Sequence, residues 1–242
     1  MLRQDRLFTS CFVAIFGTAG ITQAAYLTDT FDYADQSAFE SAYEIDVVGS
    51  PAVDLQASEG TVRMTVNGGD QAGASNKTLF VFDAFTPMSV GGDIVTGGGF
   101  TPTRFGIEVA DDPDTEVYVQ LQARTTDTEI VLRRVNNGVN TFLNSVVIGD
   151  NANFSGTWLL EVGATDVSVR RNGNPILSAV HGLDFANYAG GAQGFFYARK
   201  NAAGSTAVTF DNFVIDGTAV PEPGAAMTLL GLGLASLRRH RG

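Results

Sequence analysis

The chain has 242 residues, 44% of them hydrophobic and 17% charged, with 15 Lys and Arg against 26 Asp and Glu for a net charge of −11. That length suffices for one sizeable core, and the negative balance argues against gripping phosphate backbones, which depends on clustered Lys and Arg. The single cysteine, Cys11, excludes a disulfide scaffold.

At the N-terminus Arg3 and Arg6 precede an apolar run from Leu7 to Ile21, and small residues follow through Ala24 and Ala25. A charged start, a short apolar middle and a small-residue site predict a secretory signal peptide over residues 1–24, cut by signal peptidase after Ala24, with Ala25 the neighbouring choice. An uncleaved anchor would need about 20 apolar residues, whereas Thr9, Ser10 and Thr18 interrupt this run. Cys11 leaves with the signal. Without residues 1–24 (Arg3, Asp5, Arg6) and 221–242 (Glu222, Arg238, Arg239, Arg241) the body keeps 10 basic and 24 acidic residues, a net charge of −14.

The body, residues 25–217, is predicted to be all-β with one short helix. The helix falls at Asp35–Tyr43, where Asp35 can cap, Ser37 and Glu40 can form a capping box, and Phe39 and Tyr43 share a face. Alternation of apolar and polar residues then predicts strands at 61–67, 77–85, 103–110, 115–124, 129–135, 141–149, 157–163, 166–173 and 206–216, with 194–200 a further buried strand. Within 156–177 a strand led by Trp158 turns at Gly163 to Asp166 and returns through Val167 and Val169. It turns again at Asn172-Gly173, a strong hairpin dipeptide. This hairpin, the opening Asp29-Thr30-Phe31-Asp32-Tyr33 and the closing Phe210-Asp211-Asn212-Phe213 resemble concanavalin-A-like, laminin-G-like jelly rolls. The resemblance implies an antiparallel β-sandwich.

Four places could carry chemistry. Glu44-Ile45-Asp46 matches the start of the Glu-Ile-Asp-x-x-Glu strand that jelly-roll glycosidases of the laminarinase type use, but Gly49 stands where the second Glu is required. No catalytic residue is assigned, and Glu44 and Asp46 read as a strand edge. Asp111, Asp112, Asp114 and Glu116 cluster in a turn between two strands, and calcium favours several oxygen ligands from such a loop. Calcium is thus the one cofactor the sequence offers, against a solvated acidic turn. His181, the only histidine outside the tail, has no paired nucleophile or further metal ligand in a motif and reads as a turn histidine. Trp158 and Tyr118 are the aromatic candidates for stacking on a sugar, with a place in the core as the alternative.

The tail, 218–242, reads Val220-Pro221-Glu222-Pro223, an apolar segment from Gly224 to Leu237, then Arg238, Arg239 and Arg241. Prolines hold the first part extended, the apolar segment predicts a short membrane helix, and arginines stay on the cytoplasmic side. This tail resembles the PEP-CTERM sorting signal of Gram-negative bacteria. The resemblance implies transient membrane association and processing by exosortase at the Pro-Glu-Pro site, then delivery to the cell surface or extracellular matrix. The expected function is therefore structural or adhesive and not enzymatic, with exopolysaccharide as the contact partner and no nucleic acid. The alternative is a diverged glycan-active hydrolase or lyase.

Overall fold

A computed structural model describes residues 24–81, 87–96, 102–110, 112–123, 128–149, 154–184, 191–201 and 203–219. Along the chain these form β1 (Ala24–Asp29), α1 (Gln36–Ala42), β2 (Tyr43–Val48), β3 (Ala52–Gln56), β4 (Thr61–Asn67), β5 (Gln71–Asn76), β6 (Phe80–Val81), β7 (Met88–Thr96) and β8 (Thr103–Val109). There follow β9 (Asp112–Ala123), β10 (Thr128–Asn136), β11 (Val139–Gly149), β12 (Gly156–Val162), β13 (Asp166–Arg171), β14 (Asn174–Val180), β15 (Ala192–Arg199) and β16 (Ser205–Ala219).

Every strand pair is antiparallel, and the strands make the expected two-sheet sandwich. One sheet has the order β2-β5-β15-β8-β9-β10-β11. The other runs β14-β13-β12-β7-β16, and the far edge of β16 pairs with β4 through Ser205 to Phe210 and with β1 through Phe213 to Thr218, while β3 lies outside β4. At one corner the short β6 bonds both β15 and β16 and so links the sheets. The predicted hairpin is β12–β13–β14, with Trp158 opposite Arg171 and the Asn172-Gly173 turn at φ 51° and 78°. Of the predicted strand at 77–85 only Phe80–Val81 is strand among the described residues, and 82–86 lie outside them.

Between the sheets lies a dry core to which nearly every strand contributes. Val62, Met64, Val90, Leu160, Phe210 and Ile215 from one sheet meet Phe105, Ile107, Val119, Leu132 and Phe196 from the other, all at most 2% exposed. Helix α1 closes one end. Its N-cap is Asp35, whose carboxylate accepts from Ala38 N at 2.9 Å. The Ser37–Glu40 capping box does not form, because Asp35 is the N-cap and Ser37 lies inside the helix, where Glu40 accepts from Gln36 Nε2 at 2.8 Å. Phe39 stacks on Tyr43 with ring centroids 4.8 Å apart, as their shared face predicts. Among the described residues no helix is long and apolar enough to cross a membrane.

Candidate functional site

Alternate residues of the seven-stranded sheet point away from the core, and the register arranges them in rows across the strands. One row reads Glu44, Ser75, Phe195, Gly106, Tyr118, Arg133, Phe142. Beside it on one side lie Gln193, Glu108, Glu116, Val135 and Asn140, and on the other Asp46, Gly73, Tyr197, Arg104, Gln120, Val131 and Ser145. Gly106 keeps the middle of the face low: a Cβ there would sit 2.3 Å from Phe195 Cζ and 2.7 Å from Tyr118 Cβ.

These side chains bond to one another. Arg104 Nε donates to Gln120 Oε1 at 3.0 Å, Gln120 Nε2 to Gln122 Oε1 at 2.6 Å, and Gln122 Nε2 to Glu129 Oε2 at 2.7 Å. The Arg104 guanidinium lies 4.5 Å from the Tyr118 ring centroid and 4.7 Å from that of Tyr197. Arg133 Nη1 donates to Asn140 Oδ1 at 3.0 Å, and Asn140 Nδ2 donates to the Tyr118 hydroxyl oxygen at 2.9 Å. The Tyr197 hydroxyl donates to Gln71 Oε1, and burial pushes its pKa up to about 12.

The face is divided by charge. At one end Glu108 lies directly opposite Glu116, with Glu44 and Asp46 near enough to act on Glu108. Burial, reinforced by Glu44 and Asp46, raises the Glu108 carboxyl despite the 2.7 Å hydrogen bond from Gln193 Nε2. Burial pushes Glu116 up to about 7, with Arg104 opposing the shift and Glu108 and Asp114 adding to it. Arg104, close enough to Glu116 to act on it, lines with Arg133 and Arg199 a recess of about 240 Å³.

The sequence candidates fall partly on this face. Glu44 and Asp46 belong to β2, an edge strand, as expected. Gly49 has φ 89°, where a glutamate would be strained, and a Cβ there would displace the Asp70 carboxylate, whose Oδ1 lies 2.1 Å from that position. The members of the acidic cluster are placed as follows. Asp111 lies outside the described residues, Asp112 Oδ2 accepts from the Thr115 hydroxyl at 2.7 Å, Asp114 is exposed, and Glu116 has joined the sheet face. Among the described residues no three carboxylate, histidine or cysteine side chains form a metal-holding group. The thermal midpoint of the purified body is expected to be the same in excess calcium as in chelator; a midpoint raised by calcium would restore a ligand set at 111–116.

Trp158 corrects its reading as a stacking platform. It is fully buried beneath Arg171, whose guanidinium lies 5.0 Å from its ring, and its Nε1 donates to Phe154 O at 2.8 Å. Tyr118 is on the outer face but is covered by Arg104, so neither ring is open to a sugar. His181 is buried, its Nδ1 accepting from Leu183 N at 3.0 Å and its Nε2 lying 3.0 Å from Gly163 O. Burial lowers its pKa, so the neutral ring donates through Nε2 and serves the loop. The sequence reading passed over Arg104, Glu108, Arg133, Asn140, Phe142, Gln193 and Arg199. Most of them stand at the alternate polar positions of predicted strands, which marked them as outward-facing but not as neighbours.

Comparison with known proteins bears on the tail first. Residues 219–241 match the family model of the PEP-CTERM protein-sorting motif. The chain ends in a PEP-CTERM sorting motif. That motif implies exosortase processing, export and sorting to the surface of a Gram-negative cell. Val220, Pro221, Glu222, Pro223, Arg238, Arg239 and Arg241 lie outside the described residues, as do residues 1–23. Ala24 opens β1 opposite Thr218, so both ends of the body leave the sandwich side by side.

No curated protein matches the chain. Solved structures do match the body in shape. The carbohydrate recognition domain of Emp47p superposes with a TM-score of 0.58 at 8% identity, covering 83% of this chain and 99% of that one. A Bacillus licheniformis β-glucanase gives 0.53 at 12% identity over 81% and 98% of the two chains. Crh5 transglycosylase in complex with NAG gives 0.52 at 15% identity over 81% and 85%. What they share with this sorting-motif protein is the concanavalin-A-like jelly-roll fold.

Proposed function

We propose that the protein is a surface-delivered, non-catalytic sandwich that binds polysaccharide across the outer face of its seven-stranded sheet, in a structural or adhesive role. The observation that carries this reading is the bonded lattice of amides, guanidiniums and phenols on that face, from Arg104 through Gln120 and Gln122 to Glu129 and from Arg133 through Asn140 to Tyr118. Tyr118, Gln120 and Glu129 are buried and hold in place Arg104, Gln122, Arg133 and Asn140, which reach solvent; donors and acceptors fixed in this way suit a hydroxyl-rich ligand, because little side-chain entropy remains to be lost on binding. Exopolysaccharide fits both the address written in the tail and this face.

The test is retention of the mature chain on immobilised polysaccharides, the host's own exopolysaccharide included. Affinities of roughly micromolar to millimolar are expected, weakened when Gln120 is replaced by alanine. Failure to bind any polysaccharide overturns the reading. For the address, mass spectrometry of the mature protein should show loss of the residues before about 25 and cleavage near Pro221 to Pro223. A product that keeps its complete C-terminal peptide refutes the sorting step.

One observation favours a second reading, a diverged glycan-active hydrolase or lyase. Glu108 and Glu116 are opposed across neighbouring strands, a placement that brings Cβ atoms to about 4.5–5.5 Å, and retaining glycosidases use carboxyl groups about 5–5.5 Å apart. Against it, such chemistry needs one carboxyl protonated and the other ionised by environments that push them apart. Here burial pushes both in the same direction. Release of reducing ends that disappears in Glu116→Gln would move the assignment to the enzyme.

A further inference from the structure

Building on the polysaccharide-binding reading, we infer that the recess among Arg104, Arg133 and Arg199 is a subsite for an oxyanion substituent, a carboxylate or a sulfate ester, carried by an acidic polysaccharide. The exposed ring of Phe142 is the platform for the sugar beside it.

Charge distribution comes first. The body has ten basic residues against 24 acidic ones, yet three of the ten line one recess that contains no carboxylate side chain. Three like charges brought together repel one another and weaken the fold unless an anion joins them. Three of the other cations are engaged with the protein: Arg170 bonds Glu161 at 2.7 Å, Arg134 donates to His181 O at 2.7 Å, and Lys77 donates to Glu40 O at 2.8 Å. Among the described residues Arg170–Glu161 is the only salt bridge.

Donor supply comes second. Arg104 spends Nε on Gln120, Arg133 spends Nη1 on Asn140, and the remaining guanidinium nitrogens of both have no acceptor among the described residues. Arg199 makes no side-chain hydrogen bond among them. A guanidinium offers five N–H donors in a planar fork that matches carboxylate and sulfate oxygens. Arg104 is held flat between Tyr118 and Tyr197 and Arg133 is tied to Asn140, so two of the three forks are fixed before a ligand arrives.

Geometry comes third. Phe142 pairs with Arg133 in the β10–β11 ladder, so its side chain stands on the same face, and it is 55% exposed. An exposed ring next to the recess can cover the apolar face of a sugar whose charged group enters it. Glu44, Asp46, Glu108 and Glu116 on the β2, β8 and β9 part of the face repel an anion, so an acidic group is drawn to the side of Arg104 that faces Arg133 and Arg199.

The experiment measures binding of the mature chain to polygalacturonate, to the same polymer after carboxyl reduction, and to a sulfated galactan, each at low and high salt. Arg133→Gln, Arg199→Gln and Phe142→Ala are compared with the parent, after circular dichroism establishes that each is folded. One of the two acidic polymers should bind at least about tenfold tighter than the reduced polymer, the gain shrinking with salt; which one it is identifies the substituent. Each arginine variant should lose about that factor on the acidic polymer alone, and Phe142→Ala should weaken acidic and neutral polymers alike. Equal binding to acidic and reduced polymers, or arginine variants that bind the acidic one as the parent does, overturns the subsite and leaves polysaccharide binding intact. Binding neither to any of the three nor to the host's own exopolysaccharide overturns both.

Discussion

Replacing Phe196 by alanine should lower the unfolding free energy of the body by about 3–5 kcal/mol, seen as a lower denaturation midpoint with an unchanged slope on urea concentration. The ring has no solvent exposure and stands where the two sheets and the helix end meet. Its centroid is 5.6 Å from Phe31, 5.8 Å from Tyr43, 4.8 Å from Phe210 and 5.0 Å from Phe213, in tilted or edge-on contacts. Each such pair contributes about 0.5–1.5 kcal/mol beyond the apolar area it covers. The neighbours cannot collapse into the gap, because Phe31 and Tyr43 are also held by Asp29, whose carboxylate accepts from Phe31 N at 2.8 Å and from the Tyr43 hydroxyl at 2.9 Å. A loss below about 0.5 kcal/mol, the size of an ordinary surface change, would mean that this cluster does not join the sheets.

Glu116→Gln should stabilise the protein, and only above acidic pH. The Glu116 carboxyl has its pKa raised from 4.5 to about 7 by burial, so the folded state holds the proton more tightly than the unfolded chain does. The favourable contribution is complete below about pH 4.5 and is lost as pH rises through about 7. The ionised side chain then costs up to about 3 kcal/mol at pH 8, which glutamine, nearly isosteric and uncharged, does not incur. Thermal melts of parent and variant should coincide near pH 4 and separate by on the order of 5–10 °C at pH 8. Coincidence at both values would show that Glu116 is better solvated than its place in the ladder opposite Glu108 implies.

Much of the architecture was legible beforehand. Strands at 61–67, 103–109 and 166–171 stand where apolar–polar alternation placed them, because each has one face in the core and one in water. Strands β5 and β7 were not legible. β5 reads Gln-Ala-Gly-Ala-Ser-Asn, and β7 has Gly91-Gly92 at its centre. Their composition answers to close approach and not to strand propensity: a Cβ on Gly91 would lie 2.0 Å from Trp158 O, and one on Gly92 3.0 Å from Asp211 O. The aromatic candidates misled for a related reason. Trp158 and Tyr118 look alike in sequence, each in an alternating strand, but burial under Arg171 and Arg104 is a property of the neighbouring strands.

Sequence alone determined the address and the fold class, since a charged-apolar-small start, a Pro-Glu-Pro tail and a period of two are local patterns read along the chain. The proposed binding face is a different matter. Arg104, Arg133 and Arg199 come from three strands, Phe142 from a fourth, and Glu108 meets Glu116 only through the β8–β9 register. Moving a strand by one residue turns each of its side chains to the opposite face. Which residues became neighbours was therefore decided by strand order and pairing, interactions between segments distant in the chain that no local pattern encodes.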